Sequence, residues 1–349
     1  VEKRLVNERL RENRWEEAAA ELDRYLTFLR TCSAWWYADH SFGNQDLEKW
    51  TSCSEIRHVL ETKDHVTICV ESKERTWELM IYPVVGGFRM VAGKKGFFDG
   101  KPEAFSMEES EHAYIIRSKE HEMILQKETL EISIDRKAIT NLKNISFIFE
   151  KESVSASRIQ FSIHENSAIY GFGERFDSVN QYGKTVALWQ RDACEGCLAS
   201  IGNQAYKNIP LVHTSDGFSF FANTSYRMRM DVGDAVQDYL SVEALGDVFD
   251  FYIWSGTPRE AMTAYGTLTG LPIFPPEWVF EPWAGGGGGR WRNGPLQDIA
   301  LEQMAAMKKF HELDIPHSGF YAEGAGATFY GEYKKEELYK VVSFGERHG

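Results

Sequence analysis

From His65 onward, apolar and polar residues alternate with a period of two. HVTICV, TWELMIY, FRMVA, AYIIRS, EMILQ, LEISID and ISFIFE are short runs of this kind, separated by Gly, Asp, Lys and Asn turns. A strand points successive side chains to opposite faces, so the spacing predicts an antiparallel sandwich rather than a parallel sheet. The pattern resumes in NIPLVHT, FSFFANT, YRMRMDV and VFDFYIW, and the sandwich is expected over about residues 60–255. Before it, the period is helical. Within residues 1–31, Leu22, Tyr25, Leu26 and Leu29 form a stripe at i, i+3, i+4 and i+7, suited to docking on the body of the protein, another subunit or a partner. Trp35, Trp36, Tyr37 and Trp50 follow, as anchors for this extension or as platforms for sugar rings.

A third pattern begins at Gly256. Thr257, Pro258 and Glu260 have the order of an N-cap, first helical residue and capping-box partner, and the helix is expected to stop at Gly270. Pro272, Pro275 and Pro276 then make a rigid linker, because proline suits neither a helix interior nor a central strand. Beyond it the chain alternates between strand candidates, VFEPW and HSGFYAEG, and helix candidates, residues 296–313 and 336–347. Strand, long crossover, strand predicts parallel βαβ units. The expected organisation is a helical extension over 1–59, a sandwich over 60–255, a helix with linker over 256–275 and an α/β region over 276–349.

Between the two strand groups lies YGFGERFDSVNQYGKTVALWQRD, Tyr170 to Asp192. Gly171 and Gly173 permit positive φ or close backbone approach, so YGFG reads as a kinked strand or turn. Val186 to Trp189 resumes an apolar strand that ends in a polar tip, Gln190, Arg191 and Asp192. The residues after it, ACEGCLASIGNQAYKN, have no clean period and are expected to form a long loop.

A formal net charge of −13 argues against nucleic acid or an anionic membrane as partner. Hydrophobic content of 43% is sufficient for a large core, and no apolar run reaches the roughly 18–20 residues of a membrane span. The N-terminus lacks an apolar signal core, which places the protein in the cytoplasm as an expectation. Cys194 and Cys197 form a CEGC that reads as a metal or redox pair or as free thiols. A zinc site needs about four ligands and no second CxxC or HxxxH occurs, so no metal is expected. The Gly285–Gly289 run is no phosphate loop, since Arg290 stands where Lys-Ser or Lys-Thr would follow. It allows close approach of a substrate to the backbone, or is a flexible connection without a role.

YGFGERF, WQRD, NQAYKNIP and TGLPIFPPEWVFEPW, in this order, resemble successive signatures of glycoside hydrolase family 31, which contains retaining α-glucosidases and α-xylosidases. The resemblance implies a β-sandwich followed by the first βα units of a (β/α)8 barrel. It implies an oligosaccharide or glycoside substrate with a glucose- or xylose-configured sugar, and no cofactor. Arg191 and Asp192 match the charged pair of a sandwich loop that reaches the barrel mouth, where the Asp binds a sugar hydroxyl. Trp283, Tyr321 and Glu323 lie at the two barrel-strand ends, where such barrels place their sites. In the strand GFYAEG, Glu323 replaces the family's usual Asp.

Retaining hydrolysis needs a nucleophile and an acid/base about 5–5.5 Å apart. In the family both are aspartates on later strands, so none is expected here and both are expected C-terminal to Gly349. Two parallel strands leave open edges, which predicts a longer enzyme, a homo-oligomer or a companion chain completing the barrel. The alternatives are a transglycosylase, which shares the first step, and a non-catalytic carbohydrate-binding or assembly protein.

Overall fold

Alternation along the chain becomes cross-strand pairing in space. The computed structural model describes residues 50–322 apart from 73–74, 151–152, 176–177, 191–204 and 287–296, and of residues 1–49 only Ala19. The chain divides into two units, Val1–Leu271 and Pro272–Gly349. In the first, the strands are β1 (Thr51–Ser52), β2 (Glu55–Glu61), β3 (Val66–Glu71), β4 (Thr76–Val84), β5 (Gly87–Gly93), β6 (Ser106–Glu109), β7 (Ala113–Arg117), β8 (Glu122–Gln126), β9 (Glu131–Ile134) and β10 (Lys137–Asn141). There follow β11 (Ile145–Glu150), β12 (Ser153–Ser162), β13 (Ile169–Gly173), β14 (Lys184–Leu188), β15 (Asn208–Thr214), β16 (Phe218–Ala222), β17 (Met228–Val232), β18 (Tyr239–Leu245) and β19 (Val248–Ser255).

They form an eight-stranded sheet, β13-β15-β16-β19-β5-β4-β3-β2, and a six-stranded sheet, β1-β11-β12-β18-β17-β14. A five-stranded sheet, β10-β9-β8-β7-β6, is the third. The two larger sheets face each other across one apolar core. Phe161 of β12 stacks on Phe220 of β16 at 4.3 Å, and Phe147 of β11 meets Trp77 of β4 edge-on at 4.8 Å. Ile132, Ile134, Met123 and Leu125 bring the five-stranded sheet to the same core.

The back of the eight-stranded sheet is covered by helix α1 (Pro258–Thr269). Ala261 and Ala264 pack there on Tyr252, Trp254 and Phe221. The expected capping box is formed: Thr257 Oγ1 accepts from the Glu260 amide, and Glu260 Oε2 accepts from the Thr257 amide at 2.8 Å. Those bonds hold the Glu260 carboxyl below the usual carboxylate range. Thr257→Ala is expected to cost about 1 kcal/mol, read as a lowered Tm.

Strands begin at Thr51, inside the stretch expected to be a helical extension. Trp50 lies on the Arg158 guanidinium, 4.5 Å from the ring centre, an anchoring contact on the six-stranded sheet. The 1–31 helix, Trp35, Trp36, Tyr37, the CEGC and the 336–347 helix lie outside the described residues. The described part of the second unit is one parallel βαβ unit: β20 (Trp283–Gly286), α2 (Gln297–Glu312) and β21 (Gly319–Ala322). VFEPW is not a buried strand. A 3-10 turn spans Glu277–Phe280, Phe280 is 74% exposed, and the ladder starts only after Pro282, which has no amide hydrogen to donate. Gly285 and Gly286 therefore belong to a strand, paired with Tyr321 and Ala322. Among the described residues no helix is long and apolar enough to cross a membrane.

Candidate functional site

The YGFG motif is a bulge in β13. Its pairing with β15 shifts register between Gly171 and Gly173, and Phe172, with φ 67°, is fully buried between them. Both glycines have positive φ, 112° and 82°. The bulge turns the chain so that Arg175 reaches across three strands. Its Nη2 donates to Asn208 Oδ1 at 2.6 Å and to the carbonyl oxygens of Phe172 and Ala187, each at 3.2 Å.

Those contacts gather near the described residues that flank 191–204. Gln190 and Ala205, the residues flanking that stretch, form a parallel bridge. Asn208 Nδ2 donates to Ala205 O at 3.0 Å, and Gln190 Nε2 reaches Asn208 O at 3.5 Å. The Arg227 guanidinium lies 5.5 Å from the ring centre of Trp189, a ring left 42% exposed. Beside these contacts is a cleft of about 270 Å³ whose walls include Phe97, Gln190, Asn208, Thr224, Tyr226 and Tyr265. Aromatic faces, amides and hydroxyls line it, and none of its described lining residues is charged.

One wall of the cleft, Phe97 and Phe98, belongs to the segment 94–100, which is pinned to the sheet by buried charge. Arg89 on β5 donates through Nε and Nη2 to the two carboxylate oxygens of Asp250 on β19, at 2.8 and 2.6 Å. Asp250 Oδ2 also accepts from the Gly96 amide at 2.7 Å and from Asn223 Nδ2 at 2.9 Å. Arg89 further pairs with Asp99. Burial opposes the guanidinium's charge, and the Asp250 and Asp99 bonds overcome it, so Arg89 holds its proton more tightly than usual. Asn223 exchanges two hydrogen bonds with the Phe98 backbone, at 3.0 and 2.8 Å.

Arg191, Asp192 and Glu323 lie outside the described residues. Trp283 is described, and it opens β20 rather than ending it. Its indole donates to Val279 O at 3.1 Å, and its ring lies 5.5 Å from that of Trp278. The C-terminal end of β20, where a βα barrel would put its site, is Gly286. Tyr321 is the next-to-last residue of β21. Reasoning from sequence missed Arg175 and Asn208 as a pair. Both sit in motifs noted for their order, YGFGERF and NQAYKNIP, and the available signal was the Glu174-Arg175 pair directly after a double-glycine kink. No group of three or more potential metal ligands occurs among the described residues.

The first unit is built of antiparallel sheets packed as a sandwich. Residues 62–231 match the glycosyl hydrolase 31 N-terminal galactose mutarotase-like domain, so this segment is similar to the N-terminal portion of glycoside hydrolase family 31. It is 34% identical over 166 residues to an alpha-xylosidase of Lactiplantibacillus pentosus, a match covering 47% of this chain and 21% of that protein. Among solved structures, the cycloalternan-forming enzyme of Listeria monocytogenes, in complex with a pentasaccharide substrate, has the same fold. Its TM-score is 0.66 at 18% identity, covering 78% of this chain and 27% of that one. A family 31 dextranase of Flavobacterium johnsoniae complexed with glucose gives 0.62 at 19% identity, covering 84% and 37%. The chain thus spans well under half the length of these relatives.

Proposed function

We propose that the complete protein is a retaining α-glycosidase that releases terminal glucose- or xylose-configured sugars from oligosaccharides or glycosides. The observation carrying this is the family 31 match over residues 62–231, together with 34% identity to an α-xylosidase. Residues 1–349 contribute the sandwich and, in the βαβ unit, the first strands of a (β/α)8 barrel. Arg191 and Asp192 bind sugar from the stretch between β14 and β15, with Tyr321 and Glu323 contributing from β21 and its end. A neutral cleft with exposed aromatics, lined by Gln190 and Asn208 among others, suits an uncharged, ring-shaped ligand. In the reaction one carboxylate attacks the anomeric carbon as the C–O bond breaks, while a carboxylic acid protonates the departing oxygen. The second group then takes a proton from water, which displaces the enzyme carboxylate with net retention. These two carboxylates are proposed on later barrel strands.

The complete protein is expected to hydrolyse p-nitrophenyl α-xyloside or α-glucoside, with the α-anomer appearing first by NMR. Asp192→Ala should lower kcat/KM about tenfold or more, the loss of one charge-assisted hydrogen bond to substrate. Hydrolysis with inversion, or a folded protein without turnover on any α-glycoside, would contradict the proposal.

A further inference from the structure

The two strands flanking residues 191–204 belong to different sheets: β14 is the edge of the six-stranded sheet, and β15 lies in the eight-stranded one. No ladder joins β14 to β15; Val186, Leu188 and Val212 seat both in the common core, and polar contacts tie their ends. Among these, Arg175 Nη2 reaches both strands: Ala187 O on β14, Asn208 Oδ1 on β15, and also Phe172 O on β13. Asn208 continues the knot by donating to Ala205 O, and Ala205 bridges Gln190. The bulge at Gly171–Gly173 is what delivers Arg175 to this point.

We infer that Arg175 and Asn208 are positioning residues, which hold the ends of β14 and β15 at a fixed separation and through it set the affinity for substrate. This rests on the reading of Asp192 as a sugar ligand. A planar guanidinium suits the task because its fixed fork of donors can bond acceptors on different strands, one hydrogen being shared, while the group stays flat in a crowded gap. A lysine in its place offers a point charge on a flexible stem and should hold the ends less firmly.

The test is steady-state kinetics of the complete enzyme on p-nitrophenyl α-xyloside or α-glucoside, whichever it turns over, with hydrogen exchange of the peptides flanking 191–204. Arg175→Met is expected to raise KM about tenfold while kcat holds within about twofold, and to speed exchange in both flanks. Arg175→Lys should recover part of the loss. Asn208→Asp, which keeps the acceptor for Arg175 and drops the donor to Ala205, should lose less than Asn208→Ala. Thr257→Ala, remote from the knot in sequence and destabilising, should leave KM unchanged. If Arg175→Met lowers Tm but leaves KM in place while Asp192→Ala raises it, the positioning role is overturned and the sugar-binding reading stands. If Asp192→Ala leaves KM unchanged, the sugar-binding reading falls and the affinity role of the knot falls with it.

Discussion

Asp250→Ala is expected to destabilise the sandwich by about 3–5 kcal/mol, the cost of removing one partner from a buried ion pair. The side chains of Arg89 and Asp250 are 1% and 0% exposed, so water cannot replace the missing carboxylate without opening the sheet. Four donors lose their acceptor together: Nε and Nη2 of Arg89, the Gly96 amide and Nδ2 of Asn223. Loss of the anion leaves Arg89 with Asp99, a residue 65% exposed and hence weakly held by its own packing. For a unit of this size the midpoint of a thermal melt should fall by roughly 10 °C.

The double variant Arg89→Met/Asp250→Leu separates two explanations of that loss. If the cost is that of a stranded charge, replacing both groups by apolar ones of similar volume recovers most of the stability. If the pair chiefly tethers residues 94–100, the double variant stays destabilised and the wall carrying Phe97 and Phe98 loosens. Binding of oligosaccharide near the cleft, followed by calorimetry, would report that second outcome. An Asp250→Ala protein that melts within about 1 kcal/mol of the parent would show that the Gly96 and Asn223 donors find other acceptors.

The contrast between the paired core and these polar groups tells how much could be read from sequence. Runs such as FSFFANT and VFDFYIW are short and densely apolar, and both are central strands of the eight-stranded sheet, buried on both faces. β12 and β18 are not among the runs named: Ile159 and Phe161, and Leu240 and Val242, keep the period of two, but Ser, Arg, Gln and Glu take the alternate positions, so neither segment is a densely apolar run. The α1 cap was legible because it depends on residues three apart in sequence. Arg89 and Asp250 are 161 positions apart, and nothing local to either says that each neutralises the other. The knot of Arg175 and Asn208 is hidden for the same reason, its members being 33 positions apart. Trp283 shows the converse: Pro282 is a local signal that a strand starts after it, yet VFEPW reads as the strand and Trp283 as its end.

Gly173→Ala is expected to be more damaging than any single methyl addition in an ordinary strand. A Cβ there would stand 2.0 Å from Lys207 O and 2.6 Å from the Ile209 nitrogen, both backbone atoms of the neighbouring strand's entry. At Gly171 the added carbon would stand 2.2 Å from Leu211 O. Neither obstacle is the end of a flexible side chain, so β15 must move or the bulge must unwind, and Phe172 is seated in the core by that bulge. The positive φ adds strain of its own, and the two together should cost about 3–5 kcal/mol at either glycine. Gly183 isolates the conformational part. It has φ 76° but nothing within 4 Å of its would-be Cβ, so Gly183→Ala should cost only about 1–2 kcal/mol. Equal losses at Gly173 and Gly183 in urea melts would mean that close approach to β15 is not what the motif requires. A larger loss at Gly173, accompanied by a raised KM, would follow from the geometry, since Glu174 and Arg175 leave the strand directly after it. The Glu174 amide bonds Lys207 O at 2.8 Å, the same oxygen that the added carbon would strike. The glycine thus permits the close packing from which Arg175 reaches Asn208, and the substitution should disturb fold and knot together.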